Sequence, residues 1–253
     1  MLEQITTLAI FHFFLIFCRV GTMMMLMPGF GEIYVSPSIR LLLAFTVSLV
    51  ITPPLENILP ALPSSPLSLF VNLASEIMVG ILIGGVMRMI QGLLHVAGMI
   101  IAFQSSLASA LLFDANQASQ GSVIGNFITL IGVTLLFTSN MHHLILAGVA
   151  DSYSIFNPAV IPDAGDFALL STKVMSSIFI VALKIASPLI VVGLCLYLAS
   201  GMMARLMPSM QVFFVIIPAQ LYVSFSLLMM TISAGMMWYL NYFEEILNTI
   251  FVN

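Results

Sequence analysis

The chain has 253 residues, of which 61% are hydrophobic and 6% charged, with a net charge of -4. A soluble domain carries roughly a quarter charged residues, so this composition excludes an ordinary water-soluble globule and indicates an all-α integral membrane protein. The charge is too small, and the basic residues too scattered, for a nucleic-acid surface or a polybasic lipid-binding patch.

In chain order, Ile5 to Met27 is the first apolar run, long enough to cross a hydrocarbon core of about 30 Å. It lacks a basic leading region, its only early charge being Glu3, so it reads as a retained segment rather than a signal peptide. Gly and Pro punctuate a turn over Met27 to Glu32. A weaker segment, Ile33 to Thr52, is interrupted by Pro37 and Arg40. The stretch 53–66 has prolines at 53, 54, 60, 63 and 66 and reads as a stiff linker outside the membrane. Leu67 to Phe113 is too long for one span and divides most naturally near Gly92 to Gly98, into two helices or one bent hairpin. Within it, Gly80 and Gly84 are spaced for close helix contact, or are incidental small residues. Ile124 to Ala150 is another membrane-length stretch, followed by a polar connection from Asp151 to Asp166. Val174 to Met203 and Val212 to Leu240 complete the series. Pro188, Pro208 and Pro218 are expected to bend or interrupt helices in this last part, where Gln211 and Gln220 also fall. The result is a single integral membrane domain over 1–253 with six or seven apolar helical segments arranged as hairpins.

Between two of these runs lies Gln104 to Gly125, a small, polar, almost uncharged stretch. Its one charge is Asp114; Ser106, Asn116, Gln117 and Gly121 surround an apolar tip of Leu111, Leu112 and Phe113. Irregular backbone at membrane depth survives only inside protein or beside a water-filled cavity, so the stretch could sit in a passage and close it. The competing reading is a surface turn, which pattern alone favours because re-entrant loops are uncommon.

Charges inside the apolar runs form a second signal. Arg19, Arg88 and Lys184 lie within such runs, while Lys173 and Arg205 stand at opposite ends of one. A charge near a helix centre costs about 2.5–3.5 kcal/mol on insertion scales, so several of them point to burial against other subunits. Snorkelling to an interface suits Arg205 and Lys173 better than Arg19 and Lys184. Glu76 is a functional-site candidate by default as an intramembrane acid, but it stands about 18 Å along a helix from Arg88 and cannot pair with it there.

Catalytic patterns are lacking. No zinc-protease, nucleophile-elbow or Walker signature occurs, and adjacent His142 and His143 diverge on a helix, reading as a polar helix end rather than a metal site. Cys18 and Cys195 sit in apolar segments and read as small core residues. The sequence therefore predicts no enzyme, no cofactor and no metal. Methionine numbers 19, and clusters such as Met229 and Met230 suit a surface that seals against changing neighbours, or are apolar filler.

Several stretches in order then carry a resemblance: RVGTMMMLMPGFG from Arg19, PSIRLLLAF from Pro37, EIMVGILIGG from Glu76, AGMIIAFQSSLASALLFDANQASQG from Ala97, ALKIASP from Ala182 and ARLMPSMQVFFVIIP from Ala204. Almost end to end, the chain resembles the FliR family of flagellar type III export-gate proteins. The resemblance implies a subunit of a helical, multi-subunit gate in the bacterial inner (cytoplasmic) membrane, at the flagellar basal body. FliP and FliQ are the implied partners, with FlhB docking nearby, and unfolded flagellar polypeptides are the implied cargo. Much of that gate sits at or above the outer face of the membrane. The family's plug loop falls on 106–121, implying pore closure by Ser106, Leu111, Leu112, Phe113, Asp114, Asn116, Gln117 and Gly121. Where the family has a Gly at the start of this loop, the chain has Ser105 and Ser106. Alternatives are an injectisome export-gate subunit, although the Arg205 ending looks flagellar, and a small-molecule permease, which should show an internal repeat that is not visible.

Overall fold

The computed structural model describes residues 2–107, 122–158, 160, 162–207 and 212–251. Among the described residues the regular structure is seven helices: α1 (Leu2–Leu26), α2 (Pro37–Leu55), α3 (Pro66–Gln104), α4 (Val123–Thr138), α5 (Met141–Ile155), α6 (Ala164–Leu206) and α7 (Val212–Phe251). No strand occurs among the described residues. Among the described residues, five helices are long and apolar enough to cross a membrane, or six spans if the bent pair α4 and α5 is counted as one. The chain divides into two compact units: Met1–Ile90, Leu136–Met175 and Glu244–Asn253 form the first, and Gln91–Leu135 with Ser176–Phe243 the second.

In the first unit, α1 carries the core through Leu15, Ile16, Val20, Met23 and Met24. Phe13 meets α2 edge-on at Phe45, with ring centroids 5.0 Å apart. The Gly80 and Gly84 spacing does what a small-residue pair permits. A Cβ on Gly80 would overlap Thr22 Oγ1 and stand 2.6 Å from the Arg19 carbonyl oxygen, and one on Gly84 would meet Leu26 Cβ at 2.9 Å. Backbone contact between α1 and α3 depends on those missing methyls. Helix α2 starts at Pro37, with Ser36 capping it through Ile39 N–H; α3 starts at Pro66, where Ser65 Oγ accepts from Ser68 N–H at 3.2 Å. Proline suits a first helical position because its absent N–H has no partner there.

In the second unit, α3 and α4 pack through glycine. A Cβ on Gly98 would overlap the Gly125 backbone, and Gly132 lies against Leu94 and the Tyr239 ring. Leu93, Leu94, Ala97, Ile128, Ala182 and Ala186 belong to this core.

Five expectations need correction. Helix α3 does not divide at Gly92 to Gly98 but runs unbroken for 39 residues; a glycine costs a helix only about 1 kcal/mol, and apolar surroundings offer the backbone no other partners. The stretch Ile124 to Ala150 is instead broken at Ser139 and Asn140, where Asn140 takes a left-handed φ of 60°, a conformation Asn tolerates. The linker starts at Glu56, because Pro53 and Pro54 lie inside the end of α2. Of the two outcomes expected at Pro188 and Pro218, interruption does not occur, since both lie inside continuous helices. At Pro188 the Lys184 carbonyl loses its usual donor, and Ser187 Oγ–H supplies one at 2.8 Å. Finally, Cys195 is exposed rather than a core residue, while Cys18 is half-buried. Pro208 and Gln211 lie outside the described residues.

Candidate functional site

The densest polar cluster in the first unit surrounds Arg19, whose side chain, like that of Glu76, is completely buried. Arg19 Nε donates to Glu76 Oε2 at 2.6 Å and Nη2 to Oε1 at 3.1 Å. Nη1 donates to the carbonyl and the hydroxyl of Ser152 at 3.1 and 3.2 Å, and Nη2 also donates to the Phe156 carbonyl at 3.1 Å. All five guanidinium donors are thereby used. The Tyr153 ring stacks on the cation, 3.8 Å from centroid to Cζ. Since Phe156 caps the C-terminal end of α5, the guanidinium satisfies a carbonyl left over by the helix and complements its dipole, while the Ser152 carbonyl, already accepting Phe156 N–H at 2.9 Å, takes a second donor from it. A saturated, dry ion pair of this kind fixes α1, α3 and α5 together.

The expectation that Arg19 needs another subunit is therefore overturned: its partner is Glu76 in the same chain. Two opposite charges, each isolated in an apolar run, are themselves a pairing signal in a membrane protein, but Ser152, Tyr153 and Phe156 carried none. Arg88, 44% exposed, pairs with Glu32 at 2.9 Å, and Arg40 donates to the Val35 carbonyl at 2.8 Å, so the loop before α2 is held by two cations. Lys184 and Arg205 are exposed on α6. His142 and His143 open α5 as a polar helix end, but their rings lie 4.1 Å apart instead of diverging.

In the second unit the described chain reaches both feet of the central segment. Leu111, Leu112, Phe113, Asp114, Asn116, Gln117 and Gly121 lie outside the described residues. At the first foot Ser106 adopts a left-handed φ of 60°, and its Oγ donates to Gln220 Oε1 at 2.7 Å. Gln220 Nε2 donates in turn to the Gln104 carbonyl. Gly enters that left-handed region without steric cost, whereas a serine there must be held by its surroundings. At the second foot Ser122, buried, donates to the Gly98 carbonyl at 3.3 Å and accepts from Gly125 N–H at 3.1 Å, capping α4. A half-open cavity of about 350 Å³ lies beside them, with an apolar lining that includes Leu107, Val123, Phe127, Phe225 and Met229. In the sequence Gln220 stands out only as one of two polar residues in an apolar run.

A family model described as bacterial export proteins, family 1, matches residues 10–246. The chain belongs to this export-protein family. Among its relatives, the flagellar biosynthetic protein FliR of Caulobacter vibrioides is 32% identical over 92% of this chain and 93% of its own length. FliR of Bacillus subtilis is 28% identical over 87% and 86%, and FliR of Aquifex aeolicus 26% identical over 96% and 92%. For a family 1 export protein, the chemistry on view is adhesive: a saturated ion pair and two anchored turns.

Proposed function

We propose that this chain is a subunit of the flagellar type III protein-export gate in the bacterial inner membrane, at the flagellar basal body. It packs with FliP and FliQ, with FlhB nearby, and helps to form and close the channel through which unfolded flagellar polypeptides leave. Helix length carries this reading. Helices α3, α6 and α7 have 39, 43 and 40 residues, or about 60 Å each at 1.5 Å per residue. A hydrocarbon core of about 30 Å covers half of that. Apolar side chains are nonetheless exposed along the length of α6, from Leu169 through Phe179 and Ile180 to Leu198 and Leu206. Lipid cannot cover them all, so protein must. Lys184 and Arg205 bracket a charge-free run about as long as a bilayer is thick, which leaves the earlier half of α6 to neighbouring subunits. Exposed Met229 and Met230 on α7, 81% and 80% accessible, supply an adaptable surface for the same purpose.

Closure falls to 106–121. In this reading Leu111, Leu112 and Phe113 supply a dry constriction that blocks ions by dewetting and gives way to a passing polypeptide. Deleting 108–121, or replacing Phe113 with Gly, should leave the complex assembled and make membranes leak ions and small solutes. An assembled deletion that leaks no more than wild type refutes closure by this segment.

A further inference from the structure

Gln220 is 1% exposed in an otherwise apolar stretch of α7, and a buried amide is costly unless both its ends are used. Here both are. The Gln104 carbonyl can only accept, so the amide nitrogen faces it, leaving Oε1 for the Ser106 hydroxyl, 2.7 Å away. One side chain thus bonds the last residue of α3 and the residue two positions on. Each of those groups needs a partner. The Gln104 carbonyl is among the four that a helix leaves unbonded at its C-terminal end. Ser106 sits at φ 60°, a conformation that a non-glycine residue keeps only when its surroundings hold it. On the far side, the Gln104 side chain lies over Gly193, where a Cβ would come within 2.5 Å of its Oε1. Gln104 is therefore gripped by its backbone from α7 and seated by its side chain on α6.

We infer that Gln220 is a positioning residue: it fixes the left-handed turn at Ser106 and so sets the direction in which the chain leaves α3 toward the central segment. The inference rests on the reading of 106–121 as the closing element, and adds to it the contact that fixes where that element departs from α3. Ser106 and Gln220 are both uncharged, so the hold is two neutral hydrogen bonds, strong enough to favour one position and weak enough to be released.

The test uses the assembled membrane complex in a background with Cys18 and Cys195 replaced by Ser, and reads two things: the rate of thiol labelling at a cysteine placed by Leu107→Cys, and the ion leak of membranes without that label site. Gln220→Leu removes both bonds at similar volume and should raise labelling roughly tenfold and raise the leak. Ser106→Ala removes one bond and should raise labelling several-fold less. If deletion of 108–121 leaks and Gln220→Leu neither labels faster nor leaks, the positioning role falls and the closing reading stands. If the deletion does not leak, the closing reading falls, and labelling alone then decides whether Gln220 holds the turn: an unchanged rate overturns it. Should Gln220→Leu fail to assemble, Ser106→Ala decides in its place, unchanged labelling again overturning the inference.

Discussion

The Arg19 cluster makes the sharpest energetic prediction. Glu76→Leu removes the two bonds at 2.6 and 3.1 Å and leaves a guanidinium that is still fully buried and still charged, because arginine does not deprotonate in proteins. Breaking one side of such a pair costs about 3–5 kcal/mol. Arg19→Leu strands the carboxylate instead, unbonds the Phe156 carbonyl and takes one of two donors from the Ser152 carbonyl, so its cost should be at least as large. The double variant has neither charge. It loses only the carbonyl bonds, at about 1 kcal/mol each, against which leucine packing offers some return. The double variant should therefore be more stable than either single one, with a coupling energy of about 3 kcal/mol or more. Polar pairs in a membrane protein that can find other partners on unfolding couple by only about 0.6 kcal/mol, so the two cases are separable. Reversible unfolding in mixed micelles, followed by far-ultraviolet circular dichroism, measures the cycle. Additive single variants, or single costs below about 1 kcal/mol, would refute the reasoning.

Other perturbations follow from the packing. Gly80→Ala should destabilise the first unit by about 1–3 kcal/mol, because its Cβ meets the Arg19 carbonyl oxygen at 2.6 Å and the α1 backbone must move; Gly85→Ala, with nothing within 4 Å, should be neutral or slightly stabilising in the same unfolding assay. Ser187→Ala should cost about 1 kcal/mol by orphaning the Lys184 carbonyl, and the cost should vanish in a Pro188→Ala background, where an N–H returns to that carbonyl. Lys184→Leu should leave membrane insertion unchanged and lower the yield of complex co-purified with other gate subunits; an equal yield means that this exposed cation plays no part in assembly.

What the sequence by itself determined were properties that depend on composition and short range. The apolar runs and scarce charges set the class, and the Gly80 and Gly84 spacing offered a close contact as one of two readings, whereas Pro37 and Pro66, read as an interruption and a linker end, are helix starts. The break in membrane character around Gln104 was equally legible, because it needs only a comparison with the runs on either side. Helix limits were less so. Whether Gly92 to Gly98 or Pro188 ends a helix depends on what the surroundings offer the backbone, and in an apolar setting continuing the helix is cheaper than leaving amides unpaired. Tertiary structure alone decided which charge answers Arg19. Glu76 and the end of α5 are brought to it by the packing of three helices, and no local spacing encodes a contact between residues so far apart in the chain. It also decided why Gln220 is tolerated in an apolar run and why Ser106 turns left-handed. Each is explained by the other: a buried amide and a strained turn become favourable only when folding sets them within hydrogen-bonding distance.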